Sequence, residues 1–442
     1  MALSFQEARH LLARTGFGGN PVEINQLTTM DRQAAVDSLL AGVGQQTVTS
    51  PPQEVLSAMP PPQGMKGMSF EQKKAFRQER NDEALALKGW WYQELLATPS
   101  PLTERLTLFW HNHFTSSYKK VKWPALLYRQ NVLLRRHTAG SFSELLFQVA
   151  KDPAMILYLD TQTNRKDHPN ENFARELFEL FTLGEGHYRE NDIKEAARAF
   201  TGWHVALRHG GGFVFNRHQH DGGVKRVLGE TGMFGGDDVL SIVLDHPACA
   251  AYVTTKLWRE FVSDQPDLHE VERLADLFRT SGYHIKPLLR ALFMSPQFWA
   301  PENRGILVKS PVELIVGTIR IFQLPTRETE VLAKYGRRLG QDLFDPPNVK
   351  GWPGGTRWIT STTLLNRWQL LQRSLRGTEL GMHPHQGTMI DMAHGSAWIT
   401  EESLDTVQTV LTAVPPVSPL PDTADRWRAV QQLVMDPVYQ LK

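Results

Sequence analysis

"NENFARELFELFTLG", residues 170–184, decides the fold class. Its apolar residues Phe173, Ala174, Leu177, Phe178 and Phe181 recur at intervals of three and four, the period of a helix with one buried face. Gly184 follows where a helix C-cap belongs. The same period returns in "SFSELLFQVAKDP" (141–153), "NDIKEAARAFTGW" (191–203), "EVERLADLFRTSGY" (270–283) and "IKPLLRALFMSPQFW" (285–299). Ser141 with Glu144 three residues on has the pattern of a capping box, Asn191 or Asp192 is placed to cap the next helix, and Gly202 and Gly282 stand at helix ends. The sequence therefore predicts a mainly α protein, a multi-helical globule.

Three regions break the helical rhythm. Residues 43–68, with "SPPQEVLSAMPPPQGMKGM", read as a surface loop joining an N-terminal helical piece, residues 1–42, to a long charged helix near 69–97. Residues 203–229 alternate polar and apolar positions around Gly210, Gly211 and Gly212, which predicts one inserted β-hairpin. Residues 340–358, "GQDLFDPPNVKGWPGGTRW", hold too much Pro and Gly for a regular element and too much apolar surface, in Phe344, Trp352 and Trp358, for disorder. A long ordered loop is expected there. The main helical domain then spans 69–375, and 376–442, with "GMHPHQGTM" at 381–389, forms a peripheral segment packed on it.

Composition excludes several classes of function. Lys plus Arg number 48 against 47 for Asp plus Glu over 442 residues, so a net charge of +1 supplies no global field for nucleic acid or anionic lipid. The single cysteine, Cys249, forbids an intrachain disulfide or a thiolate metal cluster, and its small apolar neighbours mark an inert buried thiol. The N-terminal stretch lacks the basic and apolar regions of a signal peptide, so the expected compartment is the cytoplasm. No run approaches the roughly 18 apolar residues of a membrane span. The glycines fit neither the dinucleotide nor the P-loop spacing, and no G-x-S-x-G elbow is present.

Chemistry concentrates in three blocks. "RLTLFWHNHF", residues 105–114, sets His111 and His113 beside Trp110 and Phe114. Residues two apart diverge by about 200° on a helix but share a face when extended, so a helix ending near Trp110 lets both imidazoles converge. In the second block Glu171, Arg175 and Glu179 lie at i, i+4 and i+8 with Glu176 between them; buried carboxylates there require a cation, whether Arg175 or a metal. The third block, "FNRHQHDGG" and the following Val224 and Lys225, offers His218, His220, Asp221 and Lys225 at the exit of the hairpin.

If the blocks share one cavity, the chain is a metal-assisted enzyme, hydrolytic or oxidative, acting on an unidentified small molecule or polymer. A divalent transition metal would sit on His111, His113, Glu171 and His220, with Glu171, Glu176, Arg175, Asp221 and Lys225 as the catalytic groups. If they do not, the His, Glu and Arg blocks are buried structural networks of a non-enzymatic binding or assembly protein, and "DPPNVKGWPGG" presents an aromatic surface to a partner.

Taken together, "HLLARTGFGG", "FWHNHF", "DPAMILYLD", "NENFARELFELFTLG", "ARAFTGW", "HDGGVKRVLG", "KLWREFV", "KSPVELIVG" and "DPPNVKGWPGG" closely resemble the bacterial family catalogued as domain of unknown function eighteen-hundred, in order over roughly residues 5–375. The resemblance implies a mainly α-helical protein. It also implies a neighbourhood in which many members carry export signals and many are encoded beside a sulfatase-like partner. It transfers no catalytic residue; the polar positions it marks are His111, His113, Asn170, Glu171, Arg175, Glu176, His220, Asp221 and Lys225.

Overall fold

Helices start where a side chain can satisfy the free amides of the first turn. In the computed structural model, which describes residues 1–44, 46–57, 67–207, 210–324, 326, 328–375, 397–420 and 426–442, reciprocal capping boxes open Phe5–Thr15 (Ser4 with Glu7), Phe70–Ala97 (Ser69 with Gln72) and Pro311–Ile321 (Ser310 with Glu313). At Phe142–Ala150 only the serine half forms, Ser141 accepting the Glu144 amide at 3.4 Å. The helix expected to be capped by Asn191 or Asp192 begins earlier, at Glu190, and Asp192 acts from within its first turn, its carboxylate accepting the Arg189 amide at 2.8 Å. Gly184, Gly202 and Gly282 take positive φ of 79°, 85° and 72°, as residues ending a turn must. The chain is mainly α-helical, and among the described residues no helix is long and apolar enough to cross a membrane.

The β content departs from the sequence reading. Two short antiparallel hairpins replace the single one predicted over 203–229: Trp203–Ala206 pairs with Gly212–Phe215, and Lys225–Val227 with Glu230–Gly232. Between them a 3₁₀ turn, Arg217–Gln219, takes His218 off any strand. The second turn is Leu228–Gly229, with φ of 51° and 96°. Two successive positive φ values are the mark of a tight hairpin turn normally signalled by Asn-Gly or Asp-Gly. Leu228 adopts this conformation while its amide donates to Asp192 at 2.8 Å, an interaction far away in sequence.

The helix Pro101–His113 lies inside the protein and buries Glu104, Arg105, Thr107, Trp110, His111 and His113. Its two consecutive charges are bound in separate networks. Arg135, from Pro124–Arg136, donates to both oxygens of Glu104 at 2.7 and 2.9 Å, and the Trp91 indole adds a third bond at 2.8 Å. Asn131 completes the guanidinium at 2.6 Å. Arg105 reaches Glu260 and Glu313, and Glu313 also holds Lys442.

The loop 340–358 is ordered and faces inward: Phe344, Trp352 and Trp358 are buried. The aromatic surface expected of "DPPNVKGWPGG" is therefore absent at Trp352, which packs inside. Asp345 accepts from the Ser117 hydroxyl and the Lys119 amide, while the Phe344 carbonyl accepts the Tyr118 amide at 2.8 Å. In the Pro-rich segment the short helix Gln53–Ser57 is described, and Glu94 receives the Val48 and Thr49 amides at 3.0 and 2.9 Å. "GMHPHQGTM" lies outside the described residues. The C-terminal stretch Pro437–Gln440 is hydrogen-bonded to the chain near Lys309, whose amide donates to the Gln440 carbonyl at 2.7 Å.

Breaking a buried ion pair on one side strands a charge, at a cost of about 3–5 kcal/mol. Glu104→Ala is expected to lower unfolding stability in urea by that amount, since Arg135 and the Trp91 indole both lose their acceptor. A loss within the ~0–1 kcal/mol typical of an exposed pair would show that Glu104 clamps nothing.

Candidate functional site

The helix carrying the two histidines does not stop at Trp110. The Phe114 amide still donates to the Trp110 carbonyl at 2.8 Å, so the helical ladder runs through His113. The expected convergence of His111 and His113 fails for that reason: at about 100° per residue the two rings leave opposite sides of the helix.

His111 is fully buried in an aromatic cage. The Trp91, Phe344 and Trp352 rings stand 5.2, 5.3 and 5.6 Å from its own, the first nearly perpendicular at 88°. Among the described residues neither ring nitrogen has a hydrogen-bond partner. Edge-to-face packing is favourable for the ring as a whole but supplies no hydrogen-bond acceptor of ordinary strength. Burial pushes its pKa down to about 3, so the ring is neutral. Next to it, Asn112 accepts the Trp352 amide at 2.6 Å, and Gly351, with φ of 82°, leaves room that a Cβ would fill against Asn112. The histidine block and the loop 340–358 are thereby locked together.

His113 turns to the acidic helix. That helix is α over Asn172–Glu176 and then widens to a π-helix over Leu177–Thr182, with the Leu183 amide bonded to Phe178 five residues back at 2.9 Å. Three side chains from outside that helix converge on the widened turn. The Leu180 carbonyl takes the Tyr252 hydroxyl at 3.0 Å and the Lys256 ammonium at 3.1 Å, and the Phe181 carbonyl is 3.0 Å from His113 Nε2. Lys256 Nζ also lies 3.2 Å from His113 Nδ1. An ammonium can only donate, so this arrangement fixes Nδ1 as the acceptor and Nε2 as the protonated nitrogen. Burial first, and Lys256 second, hold His113 well below the usual histidine range; burial likewise pushes Lys256 down to about 8.

The carboxylates divide. Glu171 pairs with Arg175 at 2.9 Å, and Arg175 crosses to Glu190 on the following helix at 2.6 Å. Glu179 faces Lys350 at 3.5 Å and the Tyr188 hydroxyl at 3.4 Å. Glu176 is half-buried, and burial followed by repulsion from Glu179 raises its carboxyl above the ordinary range. Asn170 caps locally, accepting the Asn172 amide at 2.9 Å.

The third block is elsewhere in the bonding pattern. His220 Nδ1 lies 3.0 Å from the Thr201 carbonyl, Asp221 receives Arg198 at 2.7 Å, and Lys225 donates to the Asp221 and Gly223 carbonyls at 2.6 and 2.9 Å. These bonds fasten the link between the hairpins to the helix Glu190–Ala199. His218 has its amide bonded to Asn216 at 3.1 Å. Two of the three blocks therefore meet, through His113 and Phe181, and the His220–Asp221 block makes its bonds with other residues. Among the described residues no three His, Cys, Asp or Glu side chains form a group able to hold a metal.

A family model described as "Protein of unknown function (DUF1800)" matches residues 10–441. The chain belongs to the DUF1800 family. Neither a curated protein nor a solved structure matches it significantly. Three positions that sequence reasoning left out make contacts in this candidate site: Lys256, Lys350 and Asn112. Lys256 and Lys350 sit inside quoted blocks, "KLWREFV" and "DPPNVKGWPGG", but their partners lie far along the chain. Asn112 stood between the two histidines without a role.

Leaving a polar group buried without a partner costs about 1–3 kcal/mol. His111→Phe is therefore expected to leave the thermal midpoint at pH 7 unchanged or raised. Unfolded histidine titrates near ~6.5 and folded His111 near about 3. Between those values the unfolded state binds the extra proton, so acid removes stability. The wild-type midpoint should drop more steeply than that of His111→Phe as pH falls from 6.5 toward 4, and parallel curves would overturn this account.

Proposed function

We propose that the protein is a non-enzymatic binding or assembly protein in which the histidine, glutamate and arginine blocks serve as structural networks. One observation carries this reading: most of the residues expected to form a reactive centre are engaged in local contacts. His113 is held by a carbonyl and an ammonium, Arg175 bridges two helices, Asp221 is held by Arg198 and His220 lies against Thr201. Polar groups held by partners on other elements fix those elements against one another, most strongly at His113, which is buried. The hairpin region supports a binding role, because Val214, Phe215, Val224 and Met233 remain exposed there. The sulfatase-like protein implied by the resemblance is the partner to test first.

A second reading rests on Glu176, whose raised carboxyl beside a π-helix has the character of a general acid or base, and π-turns are frequent at functional sites. In that case a hydrolytic reaction would run at the rim formed by Glu176, Glu179 and Lys350. A group kept for chemistry at a cost to the fold is stabilised by its removal. Glu176→Gln should then raise the thermal midpoint at pH 7.5, and a lowered midpoint would count against it.

Elemental analysis of the purified protein with His111→Ala, Glu171→Ala and His220→Ala separates the network reading from the metal-assisted enzyme. The network reading expects no stoichiometric metal in any of the four proteins. Stoichiometric metal in the parent, lost in all three folded variants, would overturn it.

A further inference from the structure

An arginine that is 94 % buried needs a counter-charge, and Arg9, with 6 % exposure, makes no hydrogen bond or ion pair among the described residues. Arg9 sits on the helix Phe5–Thr15 and lines a cavity of about 180 Å³ together with His10, Arg304, Gln408, Thr409 and Thr412.

The surroundings are short of negative charge. Arg14 donates only to carbonyls, at 3.1 Å to Val262, with Phe261 and Asn303 beside it. Among the described residues Arg304 has one long bond, to the Trp299 carbonyl at 3.4 Å, and its buried Nε has no partner. Lys309 donates to the Tyr439 carbonyl at 2.7 Å, and Arg367 to Gln440 and the Lys309 carbonyl at 3.0 and 2.9 Å. Among the described residues the two carboxylates that act on this cluster, Glu313 and Glu260, are both bound to Arg105, and Glu313 also holds Lys442. His10 donates from Nε2 to the Phe298 carbonyl at 2.8 Å and is neutral, burial pushing its pKa down to about 3, so it adds no charge to the cavity.

We infer that this cavity binds a small oxyanion of the phosphate or sulfate class, held by the Arg9 and Arg304 guanidinium groups with Thr409 and Gln408 supplying further donors. The guanidinium fork matches the spacing of such oxygens. A dianion fits better than a carboxylate because more than one cation here lacks a formal counter-charge. The volume sets the size: about 180 Å³ is below the roughly 300–1,000 Å³ of sites for drug-sized ligands. The site is built from the first helix, residues 301–304 and the segment around Thr412. It is independent of the histidine and glutamate blocks, so it stands or falls separately from the function proposed above.

The test is calorimetric titration of the full chain with inorganic phosphate, sulfate and acetate in chloride at constant ionic strength. Saturable one-to-one binding of phosphate or sulfate is expected, tighter than acetate by about tenfold. Arg9→Gln and Arg304→Gln should each weaken it by about tenfold or more, while Arg290→Gln, which removes a surface pair with Asp37, should not. If Arg9→Gln fails to fold, Arg304→Gln and Thr409→Val decide, and wild-type binding in both overturns the site, as does absence of saturable binding in the parent. Methyl phosphate distinguishes the source: equal affinity identifies the phosphate end of a larger molecule, and selective binding of inorganic phosphate identifies the free ion.

Discussion

The structure depends on a helix that carries a glutamate and an arginine side by side in the interior. Glu104 and Arg105 sit next to each other in Pro101–His113, and neighbouring helical positions point about 100° apart. One cannot neutralise the other in that geometry. Each must draw a partner from a different direction, Arg135 for the first and Glu260 with Glu313 for the second. Desolvating these charges is costly, and only a nearly complete set of bonds offsets it. The helices that supply the partners are therefore fixed in angle and register around the central one, and the histidines at its C-terminal end inherit fixed positions.

This inheritance explains why two of the sequence blocks meet and the third does not. His111 faces the loop 340–358 and His113 faces the π-helical turn because the helix between them is held from both sides. The widened turn then concentrates donors: Tyr252, Lys256 and His113 all approach two successive carbonyls. His220 and Asp221 belong to a separate arrangement that secures the hairpins, anchored by Arg198 and Thr201.

Much of the helical architecture was legible in the sequence, because the three-and-four apolar period, the Ser caps and the terminal glycines are local signals. The packed loop was legible from its tryptophans. The second hairpin was not, since its turn uses Leu228 where Asn or Asp would have announced it. The end of the histidine helix was misread because nothing local distinguishes His111 and His113 continuing a helix from their leaving it. The π-turn carries no sequence signature in Leu177–Thr182 that differs from an α-helical one. The buried charge networks were the least legible: Glu104 and Arg135 are 31 residues apart, and Arg105 and Glu260 are 155 apart. Arg9 gave no signal at all, its meaning arising only from what does not surround it.

Asp192 illustrates how one side chain can make two elements of structure interdependent. One of its oxygens receives the Arg189 amide and the other the Leu228 amide, so the same carboxylate starts a helix and closes a turn 36 residues later. The reversed backbone at Leu228 is unfavourable by itself, and its anchor is in place only once the helix end has formed. Loss of the helix end would remove the anchor of the hairpin turn, so the stabilities of the two elements are coupled through one carboxylate.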